Sequence, residues 1–122
     1  MTATFHSLDE LRPYLIWPGA VARGVNGDRL TLAVIDLEPD LAIAEHHHEN
    51  EQIGIVLKGE ITMLIAGESR RLAAGDTYAI PSDVRHSAQT HSAGATVVDV
   101  FAPVRADWET KERAAPSKGQ WP

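Results

Sequence analysis

The chain has 122 residues, a formal net charge of −6 and no cysteine. A domain of this size hides about two-thirds of its unfolded surface, enough for one core. The acidic balance argues against binding a phosphate backbone, and the missing cysteines exclude disulfides, a thiolate nucleophile and thiolate-held zinc or iron–sulfur clusters. Six histidines remain, three of them consecutive, so imidazole and carboxylate are the strong metal ligands on offer.

The start of the chain lacks a basic stretch followed by an apolar one, so no signal peptide is expected. Apolar runs such as Ile53 to Leu57 are far too short to span a bilayer. A cytoplasmic protein is the expectation, with no membrane partner.

In chain order, Ser7 and Glu10 have capping-box spacing for a short helix limited by Pro13, or else belong to an irregular arm. Gly27-Asp28 signals a turn before a strand over Leu30 to Leu37. Gln52 to Leu57 is the next strand, and Lys58-Gly59 is expected to close it as a hairpin turn. Glu60 to Ile65 follows, then Gly67-Glu68 turns the chain again. Ser69 to Leu72 and Thr77 to Ile80 flank Ala74-Gly75-Asp76. His86 to Thr90 and Ala95 to Phe101 end the series. Turns recurring about every eight to twelve residues predict an all-β single domain, a sandwich or barrel. The core barrel is expected over residues 28–104, with an N-terminal arm at 1–27 and a C-terminal tail at 105–122. Trp108 and Trp121 predict that the tail packs on its own barrel or on a second subunit.

The segment Glu45-His46-His47-His48-Glu49-Asn50-Glu51-Gln52 carries the strongest chemical signal. On an extended backbone alternate side chains share a face, so His46 and His48 point together and His47 points away. Gln52, at the start of the next strand, can return a carbonyl oxygen to the same point. His86 is the best candidate for the remaining corner of a divalent-metal site. A solvated turn and a structural histidine are the bland alternative. His6 and His91 have no visible partners and are expected on the surface or in structural roles.

The glycine and proline frame around these residues resembles the cupin superfamily, whose motifs are G-x5-H-x-H-x3,4-E-x6-G and G-x5-P-x-G-x2-H-x3-N. Here they read His46-x-His48-x3-Gln52-x6-Gly59 and Gly75-x5-Pro81-x-Asp83-x2-His86-x3-Thr90. Gln52 stands for the usual Glu, Asp83 for Gly and Thr90 for Asn, and Asp40 stands where the first motif begins with Gly. One cupin branch has Gln in the Glu position, and Glu51-Gln52-x-x-Ile55-Val56-Leu57-x-Gly59 follows it. The resemblance covers about residues 30–105. It implies a double-stranded β-helix or jelly-roll barrel, a homodimer, and His46, His48, Gln52 and His86 as ligands of one divalent ion, whether Mn, Fe, Co, Ni, Cu or Zn.

Three imidazoles and an amide leave such an ion its full charge. This favours a Lewis-acid role over iron–dioxygen chemistry, which usually takes a carboxylate ligand. On the last strand Val97, Asp99 and Phe101 share one face and Thr96, Val98 and Val100 the other. A carboxylate in so apolar a strand needs a partner. Asp99 is either a structural anchor or a general acid–base. With both faces apolar, the strand is covered either by another subunit or by the arm and tail.

The ending Asp99-Val100-Phe101-Ala102-Pro103-Val104-Arg105 is similar to that of the KdgF-like pectin-degradation cupins. Those open the ring of 4,5-unsaturated monouronates to linear keto-sugars. The resemblance implies that Asp99, Phe101 and Arg105 line the pocket. Asp99 would shuttle a proton, Arg105 would clamp a substrate carboxylate in a locally positive pocket, and Phe101 would form an apolar wall. The expected function is a metal-dependent enzyme of the isomerase or lyase type on a small hydroxylated or carboxylated substrate. An iron-dependent dioxygenase and a non-catalytic sugar-binding or small-acid-binding module are the alternatives. No nucleic-acid partner is expected.

Overall fold

The structure, a computed structural model, describes residues 2–122. Its strands are β1 (Tyr14–Trp17), β2 (Ala20–Asn26), β3 (Thr31–Leu37), β4 (Ala42–His46), β5 (Glu51–Ile65), β6 (Glu68–Ala73), β7 (Thr77–Ile80) and β8 (His86–Ala102). Two short 3-10 turns, Leu8–Glu10 and Ala106–Thr110, are the only helical pieces among the described residues. The Ser7 side chain makes no capping bond to the first of them. No helix among the described residues is long and apolar enough to cross a membrane.

The all-β expectation holds, but two turns disappear. Lys58-Gly59 does not close a hairpin; β5 runs through it for 15 residues. Likewise β8 runs 17 residues through Gly94, where two strands were expected. Both strands bend instead. Gly59 and Gly94 have φ of +76° and +66°, and a side chain on Gly59 would strike the Gly94 carbonyl. The ladder slips register between Val56 and Lys58 and again between Gly59 and Ile61. Such irregularities bend and twist strands without ending them.

The bends divide the strands between two facing layers. The first half of β5 and second half of β8 pair together and with β7 and β3, and β2 and β1 extend β3 outward. The other halves pair together and with β6 and β4. The path β1-β2-β3-β8-β5-β6, with β4 branching from β8 and β7 from β5, makes one eight-stranded folded sheet, a jelly-roll sandwich.

Residues 14–26, expected as part of an arm, form β1 and β2. Their inward positions are mostly small: Ala20 and Ala22 are fully buried, and a Cβ on Gly24 would lie 3.7 Å from both Trp108 and Tyr14. Small inner residues give little hydrophobic contrast, so the period-two pattern is faint. The tail packs on its own chain. Trp108 is buried against Tyr14 and Phe101, with ring centroids 5.9 and 5.2 Å away. Farther on, Ser117 accepts two bonds from Arg23, Gln120 donates to Asp36, and Arg23 and Asp36 form a 3.0 Å ion pair beneath.

The departures from the glycine frame have a conformational explanation. Asp40 and Asp83 adopt left-handed φ of +53° and +60°. Asp is among the few side chains that tolerate this region. Thr90 Oγ1 accepts from the Leu41 N–H at 2.8 Å and donates to the Glu38 carbonyl at 2.6 Å, fastening the loop that carries Asp40. Thr90→Val keeps the shape and removes both bonds from a buried site. It should lower stability by about 1–3 kcal/mol, read as a lower urea midpoint at unchanged slope.

Candidate functional site

The bend of β8 brings its two ends together across the sandwich. His86 opens the strand and pairs in register with His46 of β4. Phe101 lies next to the other end of the strand, and its ring centroid lies 6.0 Å from that of His48. The loop between β7 and β8 is tied to the histidine segment: the Asp83 N–H donates to the His48 carbonyl at 2.8 Å and Ser82 Oγ to the Glu49 carbonyl at 2.6 Å. Buried Asn50 donates to the Pro103 carbonyl at 2.6 Å, tying the same segment to the chain after β8.

His46, His48 and His86 converge, with one ligand atom of each within 4.8 Å of the others. Each uses Nδ1 on a backbone carbonyl: Ala44 at 2.8 Å, Asn50 at 2.9 Å and Val84 at 2.8 Å. A carbonyl only accepts, so Nδ1 carries the proton and Nε2 presents a lone pair. The Nε2 atoms of His48 and His86 are buried and have no hydrogen-bond partner. Unpartnered buried lone pairs are costly, and these two, converging with the His46 ring, fit a divalent cation. Burial lowers the pKa of His48 and takes that of His86 down to about 4, so both rings stay neutral as ligands require. His47 points away, 3.7 Å from Asp83, and His91 hydrogen-bonds Thr62 at 2.8 Å.

Gln52 is buried between this cluster and Asp99. Its Nε2 donates to Asp99 Oδ2 at 3.1 Å, leaving the amide oxygen for the His48 side. Asp99 is 3% exposed, and the Tyr78 hydroxyl donates to its other oxygen. Among the described residues no cation pairs with it; two hydrogen-bond donors hold it. Burial pushes its pKa up to about 7 against the pull of those donors. Tyr78 is pushed well above its usual value by burial and by Asp99.

The register makes room for this unit. Across the inner face run Ala33, Asp99, Gly54 and Tyr78 on four neighbouring strands. A Cβ on Gly54 would run into both Asp99 Oδ1 and the Tyr78 ring. Tyr78 was missed from sequence, although it shares parity with buried Ile80 on β7. A polar-tipped side chain on an inner face was the available signal.

These residues line a cavity of about 260 Å³ between the layers. Phe101 and Trp108 form an apolar wall, and the Arg105 guanidinium lies over both rings at 4.7 and 4.8 Å. Arg105 is not a free clamp. Its Nε and Nη2 donate to the two oxygens of Asp107 at 3.0 and 2.9 Å. The pair neutralises the positive charge expected there from sequence alone.

The cupin domain family profile matches residues 33–101, more than half of the chain, and the chain belongs to that family. In sequence it is 42% identical over 67 residues to the HTH-type transcriptional regulator PuuR of Escherichia coli, covering 52% of this chain and 36% of PuuR. It is 34% identical over 64 residues to the pectin degradation protein KdgF of Dickeya dadantii, covering 52% of this chain and 58% of that protein. The chain thus spans less than two-thirds of either relative. Among solved structures, KdgF from Halomonas sp. aligns with a TM-score of 0.79 at 28% identity, over 87% of this chain and 98% of that one. A Bacillus subtilis oxalate decarboxylase variant aligns with a TM-score of 0.75 over 93% of this chain and 33% of its own, but at 21% identity it shares the fold alone.

Metal analysis tests the cluster directly. The purified protein should hold about one divalent ion per chain after loading. His86→Ala should cut retention at limiting metal to below roughly a tenth, because the remaining imidazoles leave the ion under-coordinated.

Proposed function

We propose that this chain is a metal-dependent enzyme that opens or isomerises a small sugar acid, with Asp99 moving the proton. The observation that carries this reading is the Asp99 carboxyl itself, buried on the cavity wall between Tyr78 and Gln52 and beside the three histidines. Similarity to two KdgF proteins, one in sequence and one in structure, supports the substrate class.

His46, His48, His86 and the Gln52 carbonyl would hold the ion. Bound there, it would supply Lewis-acid polarisation of substrate oxygens, whichever of Mn, Fe, Co, Ni, Cu or Zn it is. The protein's own groups do the rest. For a cyclic 4,5-unsaturated uronate the change is redox-neutral. The anomeric hydroxyl loses its proton to Asp99 and becomes the aldehyde as the bond from C1 to the ring oxygen breaks. The ring oxygen is left as the enolate of C5, and C4 takes the proton back from Asp99 to give the ketone. Tyr78 and Gln52 hold the carboxyl in place through both transfers. The Phe101 and Trp108 wall excludes water, and Arg105 meets the substrate carboxylate.

Asp99→Asn keeps the shape and removes the base. At equal metal content it should lower turnover of an unsaturated uronate by about 10²–10⁴-fold; undiminished turnover sinks the role. Activity should persist without dioxygen, and a strict dioxygen requirement would favour the oxygenase reading on the same ligands. The match to PuuR favours a second reading, a module that binds a small acid without converting it. Saturable uronate binding with no product would favour that one.

We also propose that the chain pairs with a second copy. On the outer face Leu32, Val100 and Ile53 form one cross-strand row, and Val34, Val98 and Ile55 the next. The tail reaches the Val34 and Asp36 end, yet Leu32 and Ile53 stay 48% and 55% exposed. Light scattering should give a dimer mass for the native chain and a monomer mass for Ile53→Glu. A native monomer overturns the pairing.

A further inference from the structure

The cavity holds an ion pair of which one partner, Asp107, has no part in the proposed chemistry. Asp107 takes Arg105 in a two-point fork, the geometry that an incoming carboxylate would adopt on the same edge of the guanidinium. The two partners are unequally fixed. The Arg105 side chain is 12% exposed and lies over the rings of Phe101 and Trp108, both buried. The Asp107 side chain is 56% exposed and sits on a short surface turn. Arg105 is therefore a rigid receptor, and Asp107 is an occupant able to leave through a side-chain rotation.

We propose that Asp107 is a specificity-determining residue that occupies the anion seat on Arg105 and must be displaced by the anionic group of the substrate. This rests on the reading that Arg105 receives that group. A weak or lone anion then gains little, because it exchanges one carboxylate for another. A ligand gains only if further contacts in the cavity hold it while it displaces Asp107. Neutral sugars are disfavoured too, since they cannot replace the charge. Asp107 thereby narrows the ligands to acids with a body that fills the cavity.

Acetate tests the seat without the rest of the substrate. With the zinc-loaded protein, the Arg105 Nε–H resonance is followed while acetate is titrated into the native chain and Asp107→Asn. The variant should bind acetate about fivefold more tightly, the scale of a lost part-exposed ion pair. Asp107→Ala should do the same, and calorimetric titration should show no gain when Arg105→Met is combined with either Asp107 variant. Equal or weaker binding in both Asp107 variants overturns the proposal, because Asp107 would then merely orient Arg105. Absence of any acetate-dependent shift at Arg105 in every form that keeps Arg105 overturns it as well. Acetate has no ring to open, so failure of the Asp99 turnover test leaves this result standing, and the reverse holds.

Discussion

Everything in this molecule depends on the close approach of two backbone bends. At Gly59 and Gly94 the long strands fold from one layer to the other, and their main chains lie too near for a side chain between them. Straight strands of that length would carry His86 and Phe101 to opposite ends of a flat sheet. Bent together, they set the histidine cluster of one layer against Gln52, Asp99 and Phe101 of the other. The cavity follows from that fold, and so does the mixture of ligands and carboxylate that lines it.

Much of this was legible in the residues. Parity along an extended backbone separates His46 and His48 from His47, and the frame of Gly59, Gly75 and Pro81 places His86 with them. Three kinds of information were not. Gly59 reads as a turn because a left-handed glycine reverses a hairpin and bends a continuous strand with the same signature. Ala20, Ala22 and Gly24 hide β2, since Tyr14 and Trp108 supply the bulk over them from elsewhere in the chain. The Pro18-Gly19 turn between β1 and β2 was the available clue. Partners distant in sequence, such as Tyr78 on Asp99 and Asn50 on the Pro103 carbonyl, depend on register, which short apolar runs do not specify.

Electrostatics in the cavity are arranged by neutralisation more than by charge. Burial holds His48 and His86 neutral, Asp99 is met by neutral donors, and Arg105 is paired with Asp107. A net negative chain can therefore accept an anionic ligand. The charge that such a ligand would see is set by an ion held at the histidines and by whether Asp107 stays in place, with the total of −6 a distant background.

Gly54 has one more consequence. Its missing side chain is the space in which Asp99 and the Tyr78 ring touch, so the three positions are one steric unit spread over three strands. Along a lineage, these positions cannot drift independently. Any residue larger than glycine at 54 evicts the carboxyl or the ring, and a chain that has lost both is free to fill the gap. Among homologous sequences, the trio should therefore mark which cupins keep this buried carboxyl corner and which have abandoned it.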